Sequence, residues 1–462
     1  MNNTLKYFFL LIALVFIGSC TTKEKETTTY FGGKIINPKS DFVLLFKQDK
    51  FIDSLFLDKN DKFIGEYKDF KEGLFTFKHG PEHQYVYIEP QDSILIRLNT
   101  WDFDETLVFS GTGADKNNIL IDWFLESEKE NKNHSIYKYY SLEPILFKFK
   151  MDSLLNLRNK KITLFKSKNN DLPSNYLNVL EVMVNYPIYK RFEQYPLRHK
   201  HLNKKSDFPI TPKDFYKYRE NISLNNDSLI YLGTYSSYVV SRLYNNVYSK
   251  GIPRNNKEFT VNLLNVIDKN ISQEKIKNIF LYEMLVNDFL EKSTCSLDKE
   301  TFYTYFKLSS DIEDKKQVQR VINDVKSLHG GKMLPKFNVL NYNNAKLPIS
   351  KVVKNKNCVL YFWNPKYNSS EYIASRVKYL TKKFPKLSFI GIRINSYKKN
   401  KPIKGIDIKN QYYIDSKSKA NSFLSSKLPR TLLVNNKGKI LNGFASINSS
   451  KIYKQLKYLQ KQ

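Results

Sequence analysis

The sequence has 462 residues, with 75 lysines and arginines against 45 acids and a formal net charge of +30. Aromatic residues at 15% and apolar residues at 41% supply packed cores and exclude a disordered chain. Three cysteines exclude a disulfide scaffold, and the length exceeds what one hydrophobic core serves, so two or three domains are expected.

In chain order, Lys6 lies in a short polar segment, and Tyr7 to Ile17 form an unbroken apolar run of eleven residues. A spanning helix needs about 20, so this run has the length of a secretory signal core. Gly18, Ser19 and Cys20 follow, then the polar stretch TTKEKETTT. Ile17-Gly18-Ser19-Cys20 resembles the lipobox of bacterial lipoproteins. The resemblance implies a signal peptide at 1–19, lipidation of Cys20, and an anchor linker at 20–29. Thr21, where some members carry an aspartate, implies an outer-membrane lipoprotein, on the periplasmic face or the cell surface. The competing reading is an ordinary signal peptide with a chance cysteine.

Residues 30–112 predict short strands: Phe42–Phe46, Phe51–Leu57, Leu74–Lys78, Tyr85–Glu89, Ser93–Leu98 and Thr106–Gly111. They are β-branched or aromatic and often alternate, with turns at Asp58–Asp61, His79–Pro81 and Pro90–Asp92 between them. Strands at this spacing predict an antiparallel β-sandwich. The passage YIEPQDSILIRL…VFSGTGADKN resembles the closing strands of the β-domain that often precedes thioredoxin-like domains in envelope lipoproteins, which implies architecture and no chemistry.

Residues 113–329 predict an all-helical middle region. Ile119, Leu120, Trp123 and Phe124 begin an amphipathic pattern that LEVMVNYPIYKRF, SSYVVSRLYNNVY and IKNIFLYEMLVNDFLEKS continue. Pro187, Pro196, Pro209, Pro212 and Pro253 punctuate it.

Residues 330–462 alternate strand and helix. Val359–Trp363 is a continuous apolar run of parallel-strand type. Asn368, with Glu371 three residues on, can cap a helix whose face is Ile373, Val377, Leu380 and Phe384. Leu387–Ile394 is a second buried strand, and Lys427–Ile440 reads as strand, turn, strand. MLPKF, VLYFW and LPRTLLVNNKGKI together resemble the thioredoxin-like, TlpA-type disulfide reductases of the cell envelope. The resemblance implies a C-terminal α/β thioredoxin-like fold with Pro429 as its cis-proline. The family's Cys-x-x-Cys, where a helix N-terminus lowers the first thiol's pKa, falls on Tyr367 and Ser370. Neither side chain forms a mixed disulfide, so the resemblance stops short of the activity.

Charge is uneven. From Gly330 to Gln462, 28 lysines and arginines face three acids; the preceding 329 residues hold 47 and 42. The asymmetry marks a boundary near Gly330-Gly331 and offers a surface to envelope polyanions such as lipopolysaccharide, acidic polysaccharide or lipid headgroups. Codon bias explains the lysines but not the scarcity of acids.

Other constellations are weak. His79 and His83 flank a Gly-Pro turn, and His199 and His201 sit among Arg198 and Lys200, poor settings for a metal. No cofactor, metal or nucleic-acid partner is expected, and protein partners are unspecified. The sequence leaves two functional classes. One is a lipid-anchored envelope protein whose redox-inactive thioredoxin-like domain binds or scaffolds. The other is a thiol–disulfide oxidoreductase of the TlpA type, working with a partner's thiols or with Cys295 and Cys358.

Overall fold

A computed structural model describes residues 28–132, 135–169, 171–364, 370–394, 401–426, 428 and 430–462. Cys20, Tyr367, Asn368 and Pro429 therefore lie outside the described residues. The chain forms two compact units, residues 1–218 with 228–238 and residues 219–227 with 239–462.

The first unit opens with eight strands: β1 (Thr28–Ile36), β2 (Phe42–Lys47), β3 (Lys50–Phe56), β4 (Lys62–Lys68), β5 (Gly73–His79), β6 (Glu82–Ile88), β7 (Ser93–Asn99) and β8 (Val108–Thr112). They make two four-stranded sheets, ordered β4-β1-β7-β8 and β3-β2-β5-β6. Alternation on each strand sends one set of side chains inward. Phe31, Ile35, Ile94, Ile96 and Leu98 of the first sheet share one core with Val43, Leu45, Phe75, Phe77 and Val86 of the second.

The expected wholly antiparallel pairing is corrected at one place. β1 runs parallel to β7, from Tyr30 opposite Ser93 to Ile36 opposite Asn99. The long connection between them frees the chain from a hairpin's antiparallel return. Gly33 permits the close approach: at φ +153°, a Cβ there would stand 2.1 Å from the Ile96 carbonyl oxygen.

The unit continues with helices Ala114–Lys132, Ser135–Ser141, Pro144–Lys168 and Ser174–Leu202. The first carries Leu120 and Trp123 into the interior, as the periodicity predicts, together with Ile121, while Ile119 and Phe124 are half-buried. Pro187 and Pro196 do not punctuate the last; both lie inside its 29 residues. Each removes one backbone donor, and packing outweighs that loss. Ile188, Phe192 and Tyr195 bury against Tyr140, Phe147, Met151 and Phe215 in an aromatic core, with the Phe147 and Tyr195 rings stacked at 4.1 Å.

The second unit contains helices Phe259–Asn270, Glu274–Lys292, Lys299–Leu308 and Ile312–Ser327, and most of Gly233–Tyr248. The helical residues are thus shared between the two units, and the expected boundary near Gly330 lies inside the second. Asp311 caps the helix Ile312–Ser327, accepting a hydrogen bond from the Asp314 amide at 2.8 Å.

A seven-stranded sheet follows, ordered β10-β9-β13-β12-β11-β14-β15. Its strands are β9 (Asn338–Leu340), β10 (Lys346–Pro348), β11 (Cys358–Trp363), β12 (Ser388–Arg393), β13 (Gln411–Tyr413), β14 (Arg430–Val434) and β15 (Ile440–Ala445). β11, β12 and β13 are parallel, β14 pairs antiparallel with β11, and β15 antiparallel with β14. Helices Ser370–Lys383 and Ile452–Leu459 pack on one face, where Val359, Tyr361 and Trp363 meet Ile373, Val377, Leu380, Ile452 and Leu456. Among the described residues, no helix is long and apolar enough to cross a membrane.

Candidate functional site

All six residues of β11 are buried, which is what a central strand covered on both faces requires. Its register sets Phe362 opposite Arg430, the first residue of β14. The carboxyl end of β11 therefore lies beside the start of β14, and Ser370 begins the helix that follows. At that end Trp363 is buried and the Arg393 guanidinium lies 5.5 Å from its ring centroid.

Arg430 is buried, at 2% exposure. Its Nη2 donates to Asp324 Oδ2 at 2.7 Å and to Ser426 Oγ at 2.5 Å, and its Nη1 donates to the Phe423 carbonyl. The guanidinium carbon stands 4.3 Å from the Phe444 ring centroid. Asp324, fully buried on the helix Ile312–Ser327, also accepts from the Ser425 hydroxyl at 2.7 Å and the Ser426 amide at 2.9 Å. Burial alone would raise this carboxyl's pKa. The Arg430 charge and the hydrogen bonds outweigh burial and hold it below the usual carboxylate range. No local motif announces a pair separated by 106 positions; a lone arginine after Leu428-Pro429 was the available signal.

A cavity of about 30 Å³ adjoins this place, lined by Phe362, Trp363, Arg430, Thr431 and Asn448 among others. It has room for a water molecule or two and none for a substrate. Among the described residues, the site presents an arginine-locked strand start.

The thiols lie elsewhere. Cys358 begins β11, is buried, and points its Sγ toward the Lys356 carbonyl oxygen at 3.6 Å. Burial pushes its thiol up to about 12, so it stays protonated near neutrality. Cys295 is half-buried and lines a cavity of about 450 Å³ with His329, Asn442 and Tyr458. Both cysteines are free. His329 escaped the sequence reading because 33 intervening residues hide its nearness to that cavity.

Two other histidines, His79 and His199, have packing roles. His79 is buried, its Nε2 accepting from the Lys39 amide at 2.9 Å and its Nδ1 lying 3.1 Å from the Phe42 carbonyl oxygen. His199 is buried against the Tyr195 hydroxyl and the Tyr140 carbonyl. Among the described residues, no group of three His, Cys, Asp or Glu side chains is placed to hold a metal ion.

No protein-family model matches the chain, and no curated protein matches it. Solved structures similar to part of it include the thioredoxin domain of a thiol-disulfide oxidoreductase from Bacteroides vulgatus. That likeness has 16% identity and a TM-score of 0.23, and covers 28% of this chain and 97% of that one. A thiol:disulfide interchange protein from a Bacteroides species is similar at 16% identity and a TM-score of 0.23, over 29% of this chain and 93% of that one.

Proposed function

We propose that this protein is a lipid-anchored component of a bacterial envelope whose last α/β region is thioredoxin-like and binds rather than reduces. One observation carries the reading: the stretch from Trp363 to Ser370, which joins β11 to its helix, contains no cysteine. A thiol–disulfide reductase needs a nucleophilic thiolate at that helix start and a resolving thiol beside it. Tyr367 and Ser370 supply neither. The burial of Cys358 and its raised pKa support the same reading, since a protonated thiol inside a strand is a poor nucleophile.

Anchoring rests on Ile17-Gly18-Ser19-Cys20 behind its apolar run; several acyl chains on Cys20 would give stable attachment to an outer membrane. The surplus of 25 positive charges in residues 330–462 favours weak, salt-sensitive contact with envelope polyanions. Lysine supplies most of it, which suits diffuse attraction more than bidentate recognition. The test is a disulfide-reduction assay on the purified chain. Background turnover supports the reading, and turnover abolished by Cys295→Ser with Cys358→Ser overturns it.

A second reading has one observation in its favour. Cys295 lines the 450 Å³ cavity beside His329, so a partner's disulfide could reach it there. The same assay on Cys295→Ser alone separates the two.

A further inference from the structure

The first unit holds a cavity of about 680 Å³, within the range of small-molecule sites. The helix Ser174–Leu202 contributes Lys190, Arg191 and Arg198 to its lining. Glu82, Asp104 and Glu128 line the space elsewhere, and of the three cations only Arg191 forms an ion pair among the described residues.

Arg191 is 5% exposed. Its Nη2 pairs with Glu130, which also holds Arg158 Nη2 at 2.8 Å. The other terminal nitrogen of Arg191, Nη1, is buried without a hydrogen-bond partner. That nitrogen is closed to solvent, so Arg191 lends the wall charge rather than a contact. Lys190 is half-buried and forms no ion pair among the described residues. Burial, with Arg198 and Arg191 adding repulsion, draws its ammonium pKa below the usual lysine value. Arg198 lies 5.8 Å from the ring centroids of both Tyr137 and Tyr140, which also line the space.

Elsewhere the lining is acidic and amide-rich. The Gln84 side-chain amide donates to Asp104 Oδ1 at 3.0 Å. Burial raises the Asp104 carboxyl, and Glu128, Glu105 and Glu82 add to it. The cavity thus has a cationic wall on which Lys190 and Arg198 form no ion pair among the described residues, aromatic rings beside it, and carboxylates that repel an anion from the rest.

We propose that this cavity binds a small organic anion, whose carboxylate or phosphate docks on Lys190 with Arg198 beside it while its body lies against Tyr137 and Tyr140. Arginine and lysine both bind these oxyanions by charge-assisted hydrogen bonds. The aromatic rings add a stacking surface for a ring-bearing ligand. The inference is independent of the thiol question, and either can fail without the other.

The test is calorimetric titration of the full chain in detergent with benzoate, citrate and inorganic phosphate, each at constant ionic strength. Saturable binding of at least one probe is expected, and which one binds assigns carboxylate or phosphate. Lys190→Met with Arg198→Gln, neither of which forms an ion pair among the described residues, should keep the fold by circular dichroism and weaken that binding by about tenfold or more. No saturable binding by any probe, or binding unchanged in the folded double variant, overturns the proposal.

Discussion

Asp324 and Arg430, 106 residues apart, meet at 2.7 Å with both side chains buried, tying the helix Ile312–Ser327 to the first residue of β14. A buried pair of this kind adds little over well-packed apolar residues, yet breaking it leaves a charge stranded. Arg430→Met is therefore expected to cost about 3–5 kcal/mol in urea unfolding. Asp324→Leu combined with Arg430→Met should cost less than the two single changes added together.

The same pair sets a pH dependence. The folded carboxyl of Asp324 is held below its unfolded value, near 3.9 for a free aspartate. Its contribution is fully present above that unfolded value and lost as pH falls through the folded one. Stability should therefore drop on acidification below about pH 4 more steeply in the natural chain than in Asp324→Asn. Thermal melts at stepped pH measure this, and parallel profiles would refute the assignment.

The two thiols should differ in reactivity. Cys295, half-buried at a cavity, should be alkylated by iodoacetamide in the native protein near pH 8, and Cys358 only after denaturant is added. Peptide mapping distinguishes them. Native labelling of Cys358 at the rate of a free thiol would show that β11 opens readily.

Cys20 is expected to be the acylated residue. Cys20→Ala should move the protein from the membrane fraction to the soluble one, and mass spectrometry of the natural chain should find lipid on Cys20. An unmodified Cys20 would remove the anchor from the proposal.

The basic surplus can be tested without cutting the chain, since a cut at 330 would strand Arg430 from Asp324. Lys378→Glu, Lys382→Glu and Lys386→Glu, all at exposed positions, should lower the salt needed to elute the protein from heparin. An equal drop from Lys50→Glu, Lys59→Glu and Lys62→Glu would leave codon bias as the sufficient explanation.

Much of the architecture is written locally. Six of the eight early strands carry alternating aromatic and β-branched residues that pack on one side. β1 and β4 escaped because Gly32, Gly33 and Gly65 interrupt their alternation, although a pairing strand needs those very gaps. Pro187 and Pro196 misled for the opposite reason: they are local breakers overruled by tertiary packing. The short strands β9, β10 and β13, three residues each, carry no period at all. At the candidate site, the lack of cysteines is legible in the sequence, whereas the Asp324–Arg430 contact and the Lys190–Arg191 wall exist only through folding. Their members lie on separate elements or draw their meaning from burial, which spacing does not reveal.

The division of the chain has a consequence for the order in which its parts can close. Residues 219–227 belong to the second unit, where the Asn225 side chain accepts from the Ser272 and Gln273 amides at 2.8 and 2.9 Å. Residues 228–238 return to the first, where the Gly233 amide donates to the Tyr85 hydroxyl at 2.9 Å. The first unit is thus unfinished when residue 218 emerges and must wait for Tyr238, holding part of its interior open meanwhile. A chain threaded through a membrane from its N-terminus, as the proposed export requires, keeps that interior open until Tyr238 follows.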